Sequence, residues 1–202
     1  MSLTTLAINC TLKPSPNDSS CGLLLSRTME LFNQAGAPGE IIRAVDYTIK
    51  PGVTADEGED DDWPALRDKV LEADILLLGT PIWLGHPSSE CQRVLERLDA
   101  MLSDKDEGGR MLTFGRVAAV AVVGNEDGAH HVAAELFQAL NDVGYTIPAS
   151  ATAYWVGEAM QAVDFKDLPK TPDKTQGAME VLVNNCVHLA KLLKQGQYPE
   201  VK

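Results

Sequence analysis

No glycine stands between Ile8 and Cys21, where a first strand would hand over to a first helix. That gap excludes the G-x-G-x-x-G fingerprint of dinucleotide folds and the G-x-x-x-x-G-K-[ST] loop of nucleotide triphosphatases, both of which need a backbone able to close on a pyrophosphate. No run of about 18 unbroken apolar residues occurs, so no membrane span is expected. Cysteine is scarce: Cys10, Cys21, Cys91 and Cys186 lie far apart with no C-x-x-C pair. Such spacing argues against a disulfide framework or a zinc site and for free thiols in a reducing compartment. Positive charge is also short, with 17 Lys and Arg against 29 Asp and Glu and a net charge of −12. A surface that negative repels phosphate backbones, which excludes nucleic acid as a partner. The densest acidic stretch, DEGEDDD at 56–62, reads as a solvated loop. The opening MSLTTLAINC carries no basic leader and runs straight into a strand, so it is not read as a signal peptide, and a cytoplasmic protein is expected.

What is present is an alternation of strands and helices along 202 residues, a length that suits one domain over 1–202. Leu3 to Asn9, Glu40 to Val45, Ala73 to Gly79 and Val117 to Val123 read as strands, and the last two have the continuous apolar character of strands covered on both faces. Tyr145 to Ile147 and Ala151 to Val156 read as a fifth strand interrupted at Pro148. Between them, 22–33, 63–72, 87–102, 131–143 and 173–194 show helical spacing of apolar residues. Asp62 and Ser88 or Ser89 are candidate caps, and Pro64 suits a first turn. This βαβαβαβαβα pattern predicts a doubly wound α/β fold, a five-stranded parallel sheet with helices on both faces and right-handed crossovers. Ligands bind such sheets beyond the carboxyl ends of the strands, where the strand order reverses.

Three loops fall at that end. CTLKPSPNDSS at 10–20 offers hydroxyls, one cation and the free amides of a helix start, the groups that bind a phosphate. TPIWLGHPSS at 80–89 is apolar and carries a tryptophan, which either packs in the core or at a subunit contact or is covered by a flat ligand. GNEDGAHH at 124–131 has two glycines that let backbone approach a ligand, or makes an ordinary turn capped by Asp127. A phosphate loop opening on cysteine also describes small tyrosine phosphatases, but the Arg they place six positions on is here Pro16. No G-x-S-x-G elbow supports a Ser-His-Asp hydrolase. His130 and His131 find no third ligand at helical spacing and read as helix-start or pocket-lining residues, so no metal site is expected.

Together these segments resemble the flavodoxin-like NAD(P)H-dependent FMN reductases and quinone reductases. NCTLKPSPNDSSC is similar to the family's S/T-x-R/K followed by S-N-T before the helix, and GTPIWLGHPSSECQRVLERLD to its T-P-I-Y-x-G-x-x-S/P-x-x-L-K-x-x-I-D-R segment. The chain departs from those patterns at Ser20–Cys21, at Trp83 and at Gln92–Arg93. The resemblance implies FMN as cofactor, with its phosphate at Thr11, Lys13, Ser19, Ser20 and Cys21. It places the flavin ring at Pro81, Ile82, Trp83, Leu84 and Gly85 and at Gly124, Asn125, Glu126, Asp127 and Gly128. It implies NADH or NADPH as co-substrate, a small-molecule electron acceptor such as a quinone, and no catalytic acid or base. An electron carrier of the flavodoxin kind, or a cofactor-free relative acting as a binding protein, are the alternatives. The segment YWVGEAM at 154–160 adds apolar surface of the kind a homodimer, or a dimer of dimers, buries.

Overall fold

Strands that are apolar on every residue must be covered on both faces, and period-2 alternation then sends odd and even residues to two different cores. The computed structural model, which describes residues 2–159 and 161–201, shows that arrangement. Strands β1 (Thr5–Asn9), β2 (Gly39–Arg43), β3 (Ile75–Trp83), β5 (Val117–Gly124) and β6 (Thr152–Val156) are parallel in the order β2-β1-β3-β5-β6, and the two-residue β4 (His86–Pro87) pairs antiparallel with the tip of β3. Leu6, Ile8, Leu76, Leu78, Val120 and Val122 face helices α2 (Trp63–Glu72), α3 (Ser89–Leu98) and α4 (Ala129–Asp142). Ala7, Ile75, Leu77, Ala119 and Ala121 face α1 (Ser20–Gln34) and α5 (Asp173–Gln195). Close approach on this second face requires glycine at 79, because a Cβ there would lie 2.6 Å from Leu25 Cδ1 of α1. The strand order reverses between β1 and β3, which is the flavodoxin-like topology. No helix among the described residues is long and apolar enough to cross a membrane.

The elements fall where periodicity predicts, with differences that have local causes. β3 continues four residues past Gly79, so the second loop begins as strand. The third helix is shorter than expected: it starts at Ser89, capped by Ser88, and gives way to a 3₁₀ turn at Asp99–Leu102. Tyr145 to Ile147 contributes only a single bridge from Thr146 to Val117, so the fifth parallel strand is Thr152–Val156 alone. Asp62 makes no capping hydrogen bond; its carboxylate accepts the Thr48 amide at 2.7 Å instead. Asp127 does not cap α4 either, since Gly128, at φ +114°, holds the position before that helix.

The acidic run is not merely solvated. Asp61 is enclosed with Arg97 of α3, the guanidinium donating to its carboxylate at 2.8 Å with neither side chain exposed. Arg97 also donates to the carbonyls of Lys50 at 2.9 Å and Thr54 at 3.1 Å and lies over the ring of buried Trp63. Burial by itself pushes the Asp61 carboxyl up, but the guanidinium and the amides of Glu57, Lys50 and Trp63 outweigh it and hold the carboxyl well below the usual carboxylate range. The charge run thus folds around one cation that α3 supplies from beneath.

A carboxyl with a depressed folded pKa stabilises above its unfolded pKa of about 3.9 and loses that contribution as pH falls below it. Asp61→Ala, which leaves the Arg97 charge buried and unpaired, should lower the unfolding free energy by about 3–5 kcal/mol in urea at pH 7. The difference from the parent should shrink as pH falls below about 4. Glu59→Gln, on the exposed part of the same run, should stay within about 0.5 kcal/mol of the parent.

Candidate functional site

The first loop is fixed from below before any ligand arrives. Asn9 Oδ1 accepts the Thr11 amide at 3.1 Å, and Arg43 donates to the carbonyls of Lys13 at 3.0 Å and Asn17 at 2.9 Å. Asp46 accepts the Ser15 amide and hydroxyl at 2.8 and 2.5 Å. At the start of α1 the Ser19 hydroxyl accepts the Gly22 amide at 3.1 Å and so caps the helix. Among the described residues the amides of Ser20 and Cys21 have no intramolecular acceptor. These two donors, at the positive end of the helix dipole, can take an anion.

The second loop is a tight hairpin. Trp83 pairs with His86, and the two residues between them, Leu84 at φ +51° and Gly85 at φ +79°, are both left-handed, which marks a type I′ turn. Leu84 is 90% exposed and Trp83 54%. A β-branch-free but bulky residue in that conformation at full exposure is strained, and strain of this kind collects at ligand sites. At the hairpin's base Ser88 is buried; its hydroxyl donates to the Cys10 carbonyl at 2.6 Å and accepts the Cys91 amide at 3.1 Å, while its own amide donates to Thr80 Oγ1 at 3.0 Å.

The third loop leans on the second. Glu126 accepts the Leu84 amide at 2.8 Å, and Gly124 packs so close to Ile82 that a Cβ would lie 2.9 Å from that side chain. Gly128 sits directly behind Gly85. Asn125 donates to Asp164 at 2.7 Å, which draws in the 3₁₀ turn Phe165–Asp167 that follows β6.

Between the loops lies a cavity of about 480 Å³, within the usual size range of small-molecule sites. Thr11, Lys13, Ser19, Ser20 and Cys21 border it from the first loop and α1; Pro81, Ile82, Trp83 and Leu84 border it from β3 and its turn; Gly124, Asn125 and Glu126 border it from β5. Gly85, Asp127 and Gly128 do not reach it: the two glycines stand behind the lining and Asp127 faces solvent. His130 and His131 start α4, as expected, but lie outside the lining. Leu12, Val123, Asp164 and Phe165 join the lining without having been expected there, and Trp155, expected in a dimer contact, also borders the cavity. Trp155 packs at a tilt of 49° against buried Phe165, 5.6 Å between ring centres. The sequence marks Asp164 and Phe165 only by an apolar ring between acids, DFKD, which does not tell that they reach a cavity. Burial, and then the neighbouring Cys91, push the Cys21 thiol far up, so it meets the cavity as a neutral SH.

This donor set fits a planar ligand ending in one phosphate. Two unengaged amides and Lys13 can hold an anion, a half-exposed tryptophan and a strained leucine lie where a flat ring would cover them, and no glycine makes room for a second phosphate.

A family model described as NADPH-dependent FMN reductase matches residues 3–161. The chain is 33% identical over 210 residues to the 8-demethyl-8-aminoriboflavin-5'-phosphate synthase of Streptomyces davaonensis, covering 98% of this chain and 81% of that one. It superposes with a TM-score of 0.88 and 31% identity on RosB with bound 8-demethyl-8-formylriboflavin-5'-phosphate, covering 98% of this chain and 82% of that one. It is also 39% identical over 200 residues to the divalent metal cation transporter MntH of Mycobacterium bovis; that match takes in 95% of this chain but 29% of the relative's length.

Leu84→Asn, which relieves the left-handed strain, should raise stability by about 1 kcal/mol in urea denaturation. The same change should weaken binding of a flat aromatic ligand, read by quenching of tryptophan fluorescence, to which Trp83 and Trp155 both contribute at the cavity. A stability that falls instead would show that Leu84 is held by packing.

Proposed function

Because the chain belongs to the NADPH-dependent FMN reductase family, we propose that it takes hydride from NADH or NADPH onto FMN and passes the electrons to a quinone, a free flavin or a similar small acceptor. The observation that carries this is the cavity joining the unengaged α1 amides to the exposed Trp83–Leu84 turn. FMN is the cofactor and NAD(P)H the co-substrate; bound there, FMN supplies hydride acceptance and electron release that no side chain offers.

The residues have separable tasks in this reading. The Ser20 and Cys21 amides and Lys13 hold the phosphate, which anchors the ligand at one end. Pro81 to Leu84 and Gly124 to Glu126 bracket the ring, and Glu126 keeps the turn in place through the Leu84 amide. Trp155 and Phe165 exclude water from the β6 side. Trp83, half-exposed at the rim, leaves an entry for the nicotinamide and then the acceptor, consistent with no catalytic acid or base. The whole chain acts as one domain, and four buried free thiols suit a cytoplasmic, reducing setting. Assembly as a homodimer or dimer of dimers would use the β6 edge, where Val156 is exposed; Met160, part of the same expected contact, lies outside the described residues.

A second reading has its own support in the likeness to the synthase and to RosB: in it the flavin phosphate enters as a substrate to be altered rather than as a retained cofactor. Anaerobic stopped-flow mixing separates the two. Bleaching of bound flavin by NADH or NADPH at a rate that saturates with nucleotide, with the flavin mass unchanged after many turnovers, supports the reductase. A flavin that stays oxidised with both nucleotides overturns it, and a changed flavin mass after aerobic incubation favours the second reading.

Ser20→Glu should weaken FMN binding about 10- to 100-fold, the scale of losing charged hydrogen bonds, by setting a carboxylate where the phosphate sits. Riboflavin, which has no phosphate, should bind the variant within about twofold of the parent. Equal losses for the two ligands would place the phosphate elsewhere.

A further inference from the structure

Of the adjacent His130 and His131, only His131 has a partner at helical spacing: Glu135 stands one turn along α4 from it. His131 Nε2 lies 3.1 Å from Glu135 Oε1, and His86 Nδ1, arriving from β4, lies 3.3 Å from the same oxygen. The two imidazoles meet edge to face, 5.2 Å between centres. All three donor atoms fall within 4.8 Å of one another, and among the described residues this is the group of His, Cys, Asp and Glu able to hold a metal ion.

We propose that His86, His131 and Glu135 form a site for a first-row divalent transition cation such as Zn²⁺, which fastens the Trp83–His86 hairpin to α4. In a tetrahedral site with ligands about 2.0–2.2 Å from the metal, neighbouring donors lie about 3.3–3.5 Å apart. Both separations to Glu135 are already close to that, and the two histidine nitrogens lie within 4.8 Å of each other. Two independent ion pairs would be free to use both oxygens of the carboxylate, whereas here nitrogens from two separate elements converge on one. Two imidazoles and a carboxylate suit Zn²⁺ and its neighbours in the series; Mg²⁺ and Ca²⁺ prefer all-oxygen sets. His86 and His131 are more than half exposed, which leaves the remaining coordination position to water. Glu96, Asp99 and Asp142 share the surface depression with His86 and Glu135 and add a negative field. All four cysteines are buried, so no thiol competes for the ion.

The consequence is mechanical. β4 has two residues and its turn is strained, so the hairpin that walls the cavity depends on its side contacts. A cation joining His86 to α4 would lower the hairpin's mobility.

The test is calorimetric titration of chelator-treated full-length protein with ZnCl₂, repeated with CoCl₂ followed by visible absorbance. One cation per chain should bind and raise the Tm. Loss of an outer-shell partner already costs roughly 10–100-fold in metal affinity, so His86→Ala and His131→Ala should each weaken binding by at least about 10-fold. His188→Ala, on α5, should leave it unchanged, and MgCl₂ should give no signal. Binding that survives the His86→Ala/His131→Ala double substitution, or no stoichiometric binding at millimolar Zn²⁺, overturns the proposal, including the outcome in which these residues merely hydrogen-bond to each other. The result does not depend on FMN, so it stands or falls apart from the reductase reading.

Discussion

The site depends on one buried hydroxyl at the point where the strand order turns. Ser88 Oγ has one proton to give and two lone pairs; it gives the proton to the Cys10 carbonyl at the end of β1 and accepts the first amide pointing back from α3. Through its own amide it also takes hold of Thr80 on β3. The end of β1, the bend of β3 and the start of α3 therefore meet in a single polar node inside an apolar core, where an unpaired group would cost about 1–3 kcal/mol. Because the first loop leaves β1 at Cys10 and the hairpin leaves β3 just beyond Thr80, this node sets the distance between the end of the cavity that carries the α1 amides and its aromatic end.

Around that fixed base the upper parts of the site are held by second-choice contacts. The turn at Leu84 adopts a backbone better suited to asparagine or glycine, and it keeps that shape because Glu126 grips its amide and Gly128 leaves room behind Gly85. Local preference and global structure disagree there, and disagreement of that sort is what distinguishes a ligand-facing turn from an ordinary connection. The acidic segment shows the opposite relation. Asp61 and the carbonyls of Lys50 and Thr54 take up the Arg97 guanidinium, whose Nε stays unpaired, and a stretch with little apolar content is ordered around it.

How much of this could be read from the residues follows from the range of each interaction. The parallel strands were legible because burial on both faces leaves continuous apolar runs such as ILLL and VAAVAVV, and the helices because one-sided burial leaves a stripe. The cavity-lining residues of the first loop were legible because a helix start after a strand is a local pattern. The hairpin was not, since Leu-Gly lacks the Asn-Gly signature of its turn type and β4 has too few residues to show alternation. Nor were Asp164 and Phe165, which reach the cavity only because Asn125 and Arg27, both distant in sequence, hold them there. The pairing of Asp61 with Arg97, 36 residues apart, leaves no trace in charge patterning at all.

The burial of the cysteines bears on what the chain can withstand. Oxidants attack the thiolate, and a thiol kept protonated by an apolar surrounding reacts slowly. Cys21 borders the cavity and Cys10 ends β1 just before it, with burial as the main force holding both sulfurs in the SH form. An oxidant formed in that cavity would meet sulfur held in the SH form, which it attacks slowly.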